Sequence, residues 1–160
     1  MVETSVITVP EPPHSISPAS VDEKGRLKLP SEFLEYLAAI GVTKVFITTV
    51  DFRTVRIYPL SVWKRNENLF SNAGENSAAM ERLARLAKSF GGDAEIDKSG
   101  RVLLPAALRD EMGLEKQAVM VDVYNGRVNM VLKKVHDELM QVSRASLPDD
   151  LKIAEKMGFN

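Results

Sequence analysis

The 160-residue chain has no cysteine, which excludes disulfides, thiol nucleophiles and thiolate metal sites. Its two histidines, His14 and His136, stand far apart in sequence and leave little for an imidazole cluster. Nothing approaches the roughly 18 uninterrupted apolar residues that a membrane span needs, and no basic segment followed by an apolar core opens the chain. The expectation is a soluble intracellular protein with no membrane partner. An excess of one charge is also missing: 21 Lys and Arg face 22 Asp and Glu, for a net charge of −1. Nucleic acid therefore cannot be held by the average field, and any DNA contact must come from a local basic patch. What is present, 44% hydrophobic and 27% charged residues, is the composition of an ordinary folded domain.

The two ends differ from the middle. Residues 1–20 contain four of the eight prolines, Pro10, Pro12, Pro13 and Pro18, and few bulky apolar groups in series. Such a segment does not readily offset the entropy of ordering, and it is expected to be a flexible N-terminal arm. Residues 133–160 are expected to form a helical tail. Val135, Leu139 and Met140 mark one side of a first helix, Pro148 interrupts it, and Leu151, Ile153, Ala154 and Met157 mark a second.

Between the ends the chain repeats itself, and repetition constrains architecture before any other signal. Residues 22–30 read Asp-Glu-Lys-Gly-Arg-Leu-Lys-Leu-Pro and residues 97–105 read Asp-Lys-Ser-Gly-Arg-Val-Leu-Leu-Pro. After each Pro comes a short helical pattern that stops at Gly: Phe33, Leu34, Leu37 and Ile40 before Gly41, then Leu108 and Met112 before Gly113. A β-rich run follows in each copy, Val45 to Val50 and Val119 to Tyr124, then a tight turn and a second run, Val55 to Tyr58 and Val128 to Leu132. Asn125-Gly126 is a strong hairpin signal, because a type I′ turn needs positive φ at both central residues.

Each copy thus reads strand, turn, strand, Pro, short helix, strand, turn, strand. A unit of that size exposes apolar faces that it cannot cover alone, so two copies are expected to interleave around one core. A helical connector separates them, with a short helix near Val62 to Leu69 and a longer one from Ser77 to Phe90. The longer helix carries Met80, Leu83, Ala84, Leu86, Ala87 and Phe90 on one broad stripe, which predicts packing on the barrel or on another subunit. The expected division is an arm at 1–20, repeat one at 21–60, the connector at 61–92, repeat two at 93–132 and the tail at 133–160.

These residues resemble a known family. The doubled Asp-x-x-Gly-Arg with its following Pro, the stretch Tyr58-Pro59-Leu60-Ser61-x-Trp63, and Phe90-Gly91-Gly92-x-Ala94-Glu95-x-Asp97 together look like MraZ. The resemblance spans Val21 to Leu132. It implies an α+β, mainly β fold: two tandem swapped-hairpin AbrB-like repeats forming one pseudo-symmetric barrel with connecting helices. It also implies a bacterial transcriptional regulator, cytoplasmic and nucleoid-associated, that assembles into a homo-oligomeric ring on double-stranded DNA. Its targets in that family are short direct repeats in the promoter of the division and cell-wall gene cluster. The chain departs from the family pattern before Asp22, where His14 to Ser20 replaces an aromatic and Gly strand. It also departs at Thr49-Val50 and Phe52-Arg53 in the first hairpin, and at Asn129-Met130-Val131 near the end of repeat two.

The chemistry of the residues agrees with binding. A Gly in a two-strand turn accepts positive φ and presents its neighbours at a hairpin tip. Lys24 with Arg26, and Lys98 with Arg101, would stand at two such tips. Arg offers a planar fork suited to phosphate or to the O6 and N7 edge of guanine, and Lys a point charge. Arg53 and Arg127, read as occupying equivalent places in the two second hairpins, extend the candidate set. Asp22, Gly25, Asp97 and Gly100 are assigned to the structure of the turns, since a carboxylate repels phosphate. Tyr58, Pro59 and Trp63 are expected to pack the connector onto the barrel. Two tips per chain neutralise few phosphates, so binding is expected to need several subunits acting together. An antitoxin-like AbrB module, with the tail on a partner protein, is the alternative; the doubled repeat weakens it. An enzyme or metal binder built on Asp22, Asp93, Glu95 and Asp97 is disfavoured because the acids alternate along strands without histidine. No cofactor is expected.

Overall fold

Both copies of the repeated segment fold in the expected order of elements. The computed structural model describes residues 9–160, so the first eight residues of the predicted arm lie outside the described residues. Copy one comprises β1 (Ser17–Val21), β2 (Arg26–Lys28), α1 (Ser31–Ala39), β3 (Lys44–Thr48) and β4 (Thr54–Pro59). Copy two comprises β5 (Gly92–Glu95), β6 (Arg101–Leu103), α4 (Ala106–Met112), β7 (Gln117–Tyr124) and β8 (Arg127–Leu132). Between them run α2 (Leu60–Ser71), a single 3₁₀ turn at Gly74–Asn76, and α3 (Ser77–Phe90), and α5 (Lys133–Lys156) follows the last strand.

The eight strands form one antiparallel sheet in the order β5-β3-β4-β8-β7-β1-β2-β6, and its outer strands β5 and β6 approach each other to nearly close a barrel. Exchanging the copies preserves the pairing except at the seam, where β1 pairs with β2 but β5 and β6 only approach. β1 of copy one pairs with β7 of copy two, and β5 of copy two pairs with β3 of copy one. β2 pairs with its own counterpart β6, and β4 with its counterpart β8. Neither copy thus closes a sheet without the other. The fold is α+β and mainly β, one pseudo-symmetric barrel with connecting helices, as the resemblance implied.

Alternation within the strands sends Leu27, Val45, Ile47, Val55, Ile57, Val102, Val121 and Met130 inward, where Leu29, Phe33, Leu104, Leu108 and Leu114 complete a core with almost no solvent contact. A second, smaller cluster joins the connector to the outside of β3 and β4. Trp63 stacks on Phe46 with centroids 4.4 Å apart and lies 5.2 Å from the Tyr58 ring, with Ala87 of α3 completing the group. Tyr58 and Trp63 therefore pack the connector on the barrel, as expected.

Two expectations about the ends are corrected. The arm does not extend to residue 20, because Ser17–Val21 is β1, with Ala19 and Val21 turned toward the core. Pro18, which has no N–H to donate, falls where β1 has only β7 beside it, since β2 pairs only with Ser20 and Val21; edges of this kind accept proline. The first repeat therefore begins before residue 21. The tail is one helix and not two, with Pro148 inside it. Proline removes one helical hydrogen bond, and here the carbonyl it leaves unpaired belongs to an exposed stretch where water reaches it.

Candidate nucleic-acid interface

The two Asp-x-x-Gly-Arg segments build two nearly identical turns. In the first, Asp22 Oδ1 accepts the backbone N–H groups of Lys24 and Arg26, each at 2.9 Å. In the second, Asp97 Oδ1 accepts those of Ser99 at 2.8 Å and Arg101 at 2.9 Å. Gly25 and Gly100 take φ of 80° and 77°, a region costly for other residues. The turns also hold each other: Leu29 N donates to Gly100 O and Leu104 N donates to Gly25 O, both at 3.0 Å. Both carboxyl groups are held below the ordinary aspartate range, first by the N–H of Arg26 for Asp22 and of Arg101 for Asp97, against a smaller desolvation. Asp22, Gly25, Asp97 and Gly100 thus shape the two turns.

From the turns run the paired strands β2 and β6, the shortest in the barrel at three residues each. Leu27 and Val102 face the core. The alternate positions, Arg26, Lys28, Arg101 and Leu103, therefore face outward. Lys28 lies directly opposite Arg101, and Arg26 opposite Leu103. Lys24 and Lys98 are exposed at the turns. Arg26, Lys28 and Arg101 thus share one small outer face, with Lys24 and Lys98 in the turns at its two ends beside the exposed Glu23 and Asp97. Only Arg26 is neutralised by a close salt bridge among the described residues, its Nε lying 2.8 Å from Asp22 Oδ2. Lys28 Nζ donates to the carbonyl of Ser99. Like charges directly opposite on neighbouring strands destabilise a sheet, and the Lys28 and Arg101 pair sits in that relation. A polyanion laid across the face would relieve it.

The family model described as "MraZ protein, putative antitoxin-like" matches residues 92–126, the span from β5 to the tip of the last hairpin. The chain is similar to proteins named "Transcriptional regulator MraZ" from several bacteria. It is 28% identical to that of Acidobacterium capsulatum over 138 residues, covering 86% of this chain and 94% of the relative. Against that of Anaeromyxobacter dehalogenans it is 32% identical over 133 residues, 82% of this chain and 89% of the relative. Against that of Idiomarina loihiensis it is 35% identical over 108 residues, 66% of this chain and 70% of the relative. The chain belongs to the MraZ family.

In this MraZ-family fold the remaining candidates stand apart from the β2 and β6 face. Arg53, in the turn between β3 and β4, has its Nη2 3.0 Å from Glu138 Oε2 of α5. Arg127 begins β8, donates from Nε to Asn129 Oδ1 at 2.9 Å, and lies 5.8 Å over the Tyr58 ring. β8 is separated from β2 by β7 and β1 in one direction around the sheet, which puts both arginines on the opposite wall. They are also not counterparts of each other. Arg56 faces Asn129 in the β4 and β8 register, so the symmetry matches Arg127 with Thr54. The second hairpin turns in two residues, Asn125 and Gly126, both at positive φ, and the first uses a longer turn. This difference shifts the apparent alignment by one.

Lys28 was not among the candidates. Comparison of the repeats passes over it because its counterpart is Leu103. The signal available was its place two residues beyond Arg26, which puts both on one face of a strand. Arg109 is a second unforeseen residue. Its Nε donates to Leu104 O at 2.9 Å and its Nη1 lies 3.3 Å from Glu115 Oε1, so it clamps the first turn from α4. The counterpart that covers Gly100 is Leu34. Asp93 and Glu95 are exposed on β5, and Asp22 and Asp97 are each engaged in their own turns.

Proposed function

We propose that this MraZ-family chain is a sequence-specific DNA-binding transcriptional regulator, and that the outer face of β2 and β6 with its two turns is the surface that meets the duplex. Arg26 and Arg101 are the residues with forks for phosphate or guanine, and Lys24, Lys28 and Lys98 supply phosphate contacts. The observation that carries this reading is the placement of Lys28 opposite Arg101 on an exposed ribbon, with Arg26 on the same face and Lys24 and Lys98 in its turns, on a chain whose net charge is −1. A two-stranded ribbon is narrow enough to enter the major groove. Arg53, bonded to Glu138, and Arg127, on the opposite wall, are left out of this surface.

The proposal extends to what the relatives' names do not state. One face neutralises few phosphates, so tight binding requires several copies reading repeated sites. We infer a homo-oligomer, a ring, on short direct repeats in a promoter of the division and cell-wall gene cluster. The test is a gel shift with the DNA upstream of the protein's own gene, run across a salt series with competitor, beside a solution mass measurement. The expected result is retention of that DNA against competitor by an oligomer, and weaker retention by Arg26→Ala and Arg101→Ala with assembly intact. Equal affinity for any duplex, or variants that bind as tightly as wild type at matched salt, would overturn it.

A further inference from the structure

A groove of about 330 Å³ lies between the first turns of α5 and the outer face of β4, β8 and β7. It is on the wall away from the basic ribbon, and the DNA-binding reading does not use it. Two guanidinium groups line it, Arg56 from β4 and Arg127 from β8. Arg56 Nη1 donates to Tyr58 Oη at 3.0 Å, but its Nε is buried and has no hydrogen-bond partner among the described residues. Neither arginine makes a close salt bridge among the described residues. Burial, and then the charge of Arg56, press on the protonated form of Arg127. The carboxylate in the groove, Asp122, is itself pushed by burial toward its neutral form. Removing charged groups from water without a partner is costly, and an unmet buried donor adds to that cost. The missing opposing charge is what one oxyanion in the groove supplies, and the arginine fork is the best receptor for it among side chains.

The rest of the groove sets the other half of the ligand. Met120 from β7 and Leu139 and Met140 from α5 line it, and the two α5 residues are exposed, at 42% and 40%. An apolar wall with a few converging polar groups is the usual build of a small-molecule site, and this volume is at the small end of the range. We propose that the groove binds a small amphipathic anion, its oxyanion group on Arg56 and Arg127 and its apolar body against Met120, Leu139 and Met140. A carboxylate and a phosphate monoester share this chemistry.

The test uses the full chain and four probes below their micelle-forming concentrations: octanoate, octyl phosphate, octanol and inorganic phosphate, each titrated by calorimetry. Saturable binding of octanoate or octyl phosphate is expected at one site per chain, and whichever binds more tightly identifies the head group. Octanol and inorganic phosphate should bind at least about tenfold more weakly, each lacking half of the ligand. Arg56→Gln and Arg127→Gln should each weaken binding by about tenfold or more, and Lys116→Gln should not. Leu139→Glu, at a lining position of α5 that is 42% exposed, should abolish binding by placing a carboxylate in the groove, with circular dichroism of the variant checking that it folds. No saturable binding of either amphiphile overturns the proposal, as does octanol binding equally well. So does affinity that survives both Arg127→Gln and Leu139→Glu. Release of octanoate only when chains dissociate would assign the groove to a subunit interface and likewise overturn it.

Discussion

Arg109 lies across Gly25. A Cβ on Gly25 would collide with Arg109 Cδ and stand 2.6 Å from its Nε, while φ at Gly25 is already 80°. Gly41 has φ of 74° with nothing among the described residues within 4 Å of the same position. The two sites separate backbone strain from crowding. Gly41→Ala is expected to cost about 1 kcal/mol. Gly25→Ala is expected to cost about 2–4 kcal/mol, because the clamp must also move, and Arg109→Ala in the same chain should recover part of the difference. Urea unfolding of the four proteins checks this, and equal losses at residues 25 and 41 would remove Arg109 from the account.

Acid should unfold the protein partly through the two turns. The carboxyl groups of Asp22 and Asp97 are lowered in the folded state by backbone N–H groups and, more weakly, by nearby arginine. In the unfolded chain they return to about 4. The unfolded state therefore binds more protons just below that pH, so the stabilisation is complete above about pH 4 and is lost as pH falls through the folded values. Asn keeps the acceptor oxygen and drops the charge. Urea midpoints at pH 3 and pH 6 should therefore lie closer together in the Asp22→Asn, Asp97→Asn protein than in wild type. An identical spread in both would place the acid sensitivity elsewhere.

The parts of this molecule that sequence revealed are those governed by local rules. Gly25 and Gly100 sit at positive φ because two identical turns require it, and the doubled motif made that visible. α3 ends where its apolar stripe meets Gly91 and Gly92, as read. A first strand is expected before each turn, but residues 17–20 read as arm because the strand character of β1 comes from a partner: Ser17, Pro18 and Ala19 are extended by pairing with Val121, Met120 and Val119, and nothing in their own propensities demands it. The groove was invisible for the same reason. Arg56 and Arg127 are 71 positions apart in the numbering and meet only because β4 and β8 pair across the two copies. The candidate interface falls between these cases. Its turns were legible, but the exposed Lys28 has no charged counterpart in the second repeat.

Trp63 should anchor α2 chiefly through aromatic contact. It stacks on Phe46, lies near Tyr58 and meets Phe70 edge-on at 6.0 Å, and it is 5% exposed. Trp63→Ala is expected to cost about 3–5 kcal/mol, and Trp63→Phe distinctly less, since a ring would still stack. Because Trp63 is the one tryptophan in the chain, its fluorescence follows this contact directly in wild type. An emission change that precedes loss of far-ultraviolet circular dichroism on heating would show the connector leaving before the barrel opens. A coincident change would make them one cooperative unit.

Arg26 and Arg101 hold matching places in the two turns but have different duties, and this difference gives the sharpest prediction. Arg26 Nε is committed to Asp22 Oδ2 at 2.8 Å, and no comparable bond joins Arg101 to Asp97, whose oxygen takes backbone N–H groups only. Arg101→Gln should therefore change thermal stability by no more than about 0.5 kcal/mol. It also relieves the repulsion from Lys28. Arg26→Gln should lower stability measurably through the lost bond. On DNA the order is not the same: each substitution is expected to reduce promoter affinity by about tenfold or more. A lost phosphate contact should flatten the salt dependence by about one unit of slope, whereas a lost base contact should relax discrimination between sequences. Arg53→Gln, on the far wall, serves as the control. If Arg101→Gln destabilises the fold as much as Arg26→Gln and leaves DNA binding untouched, the arginines are parts of the turns and the ribbon is not the reading surface.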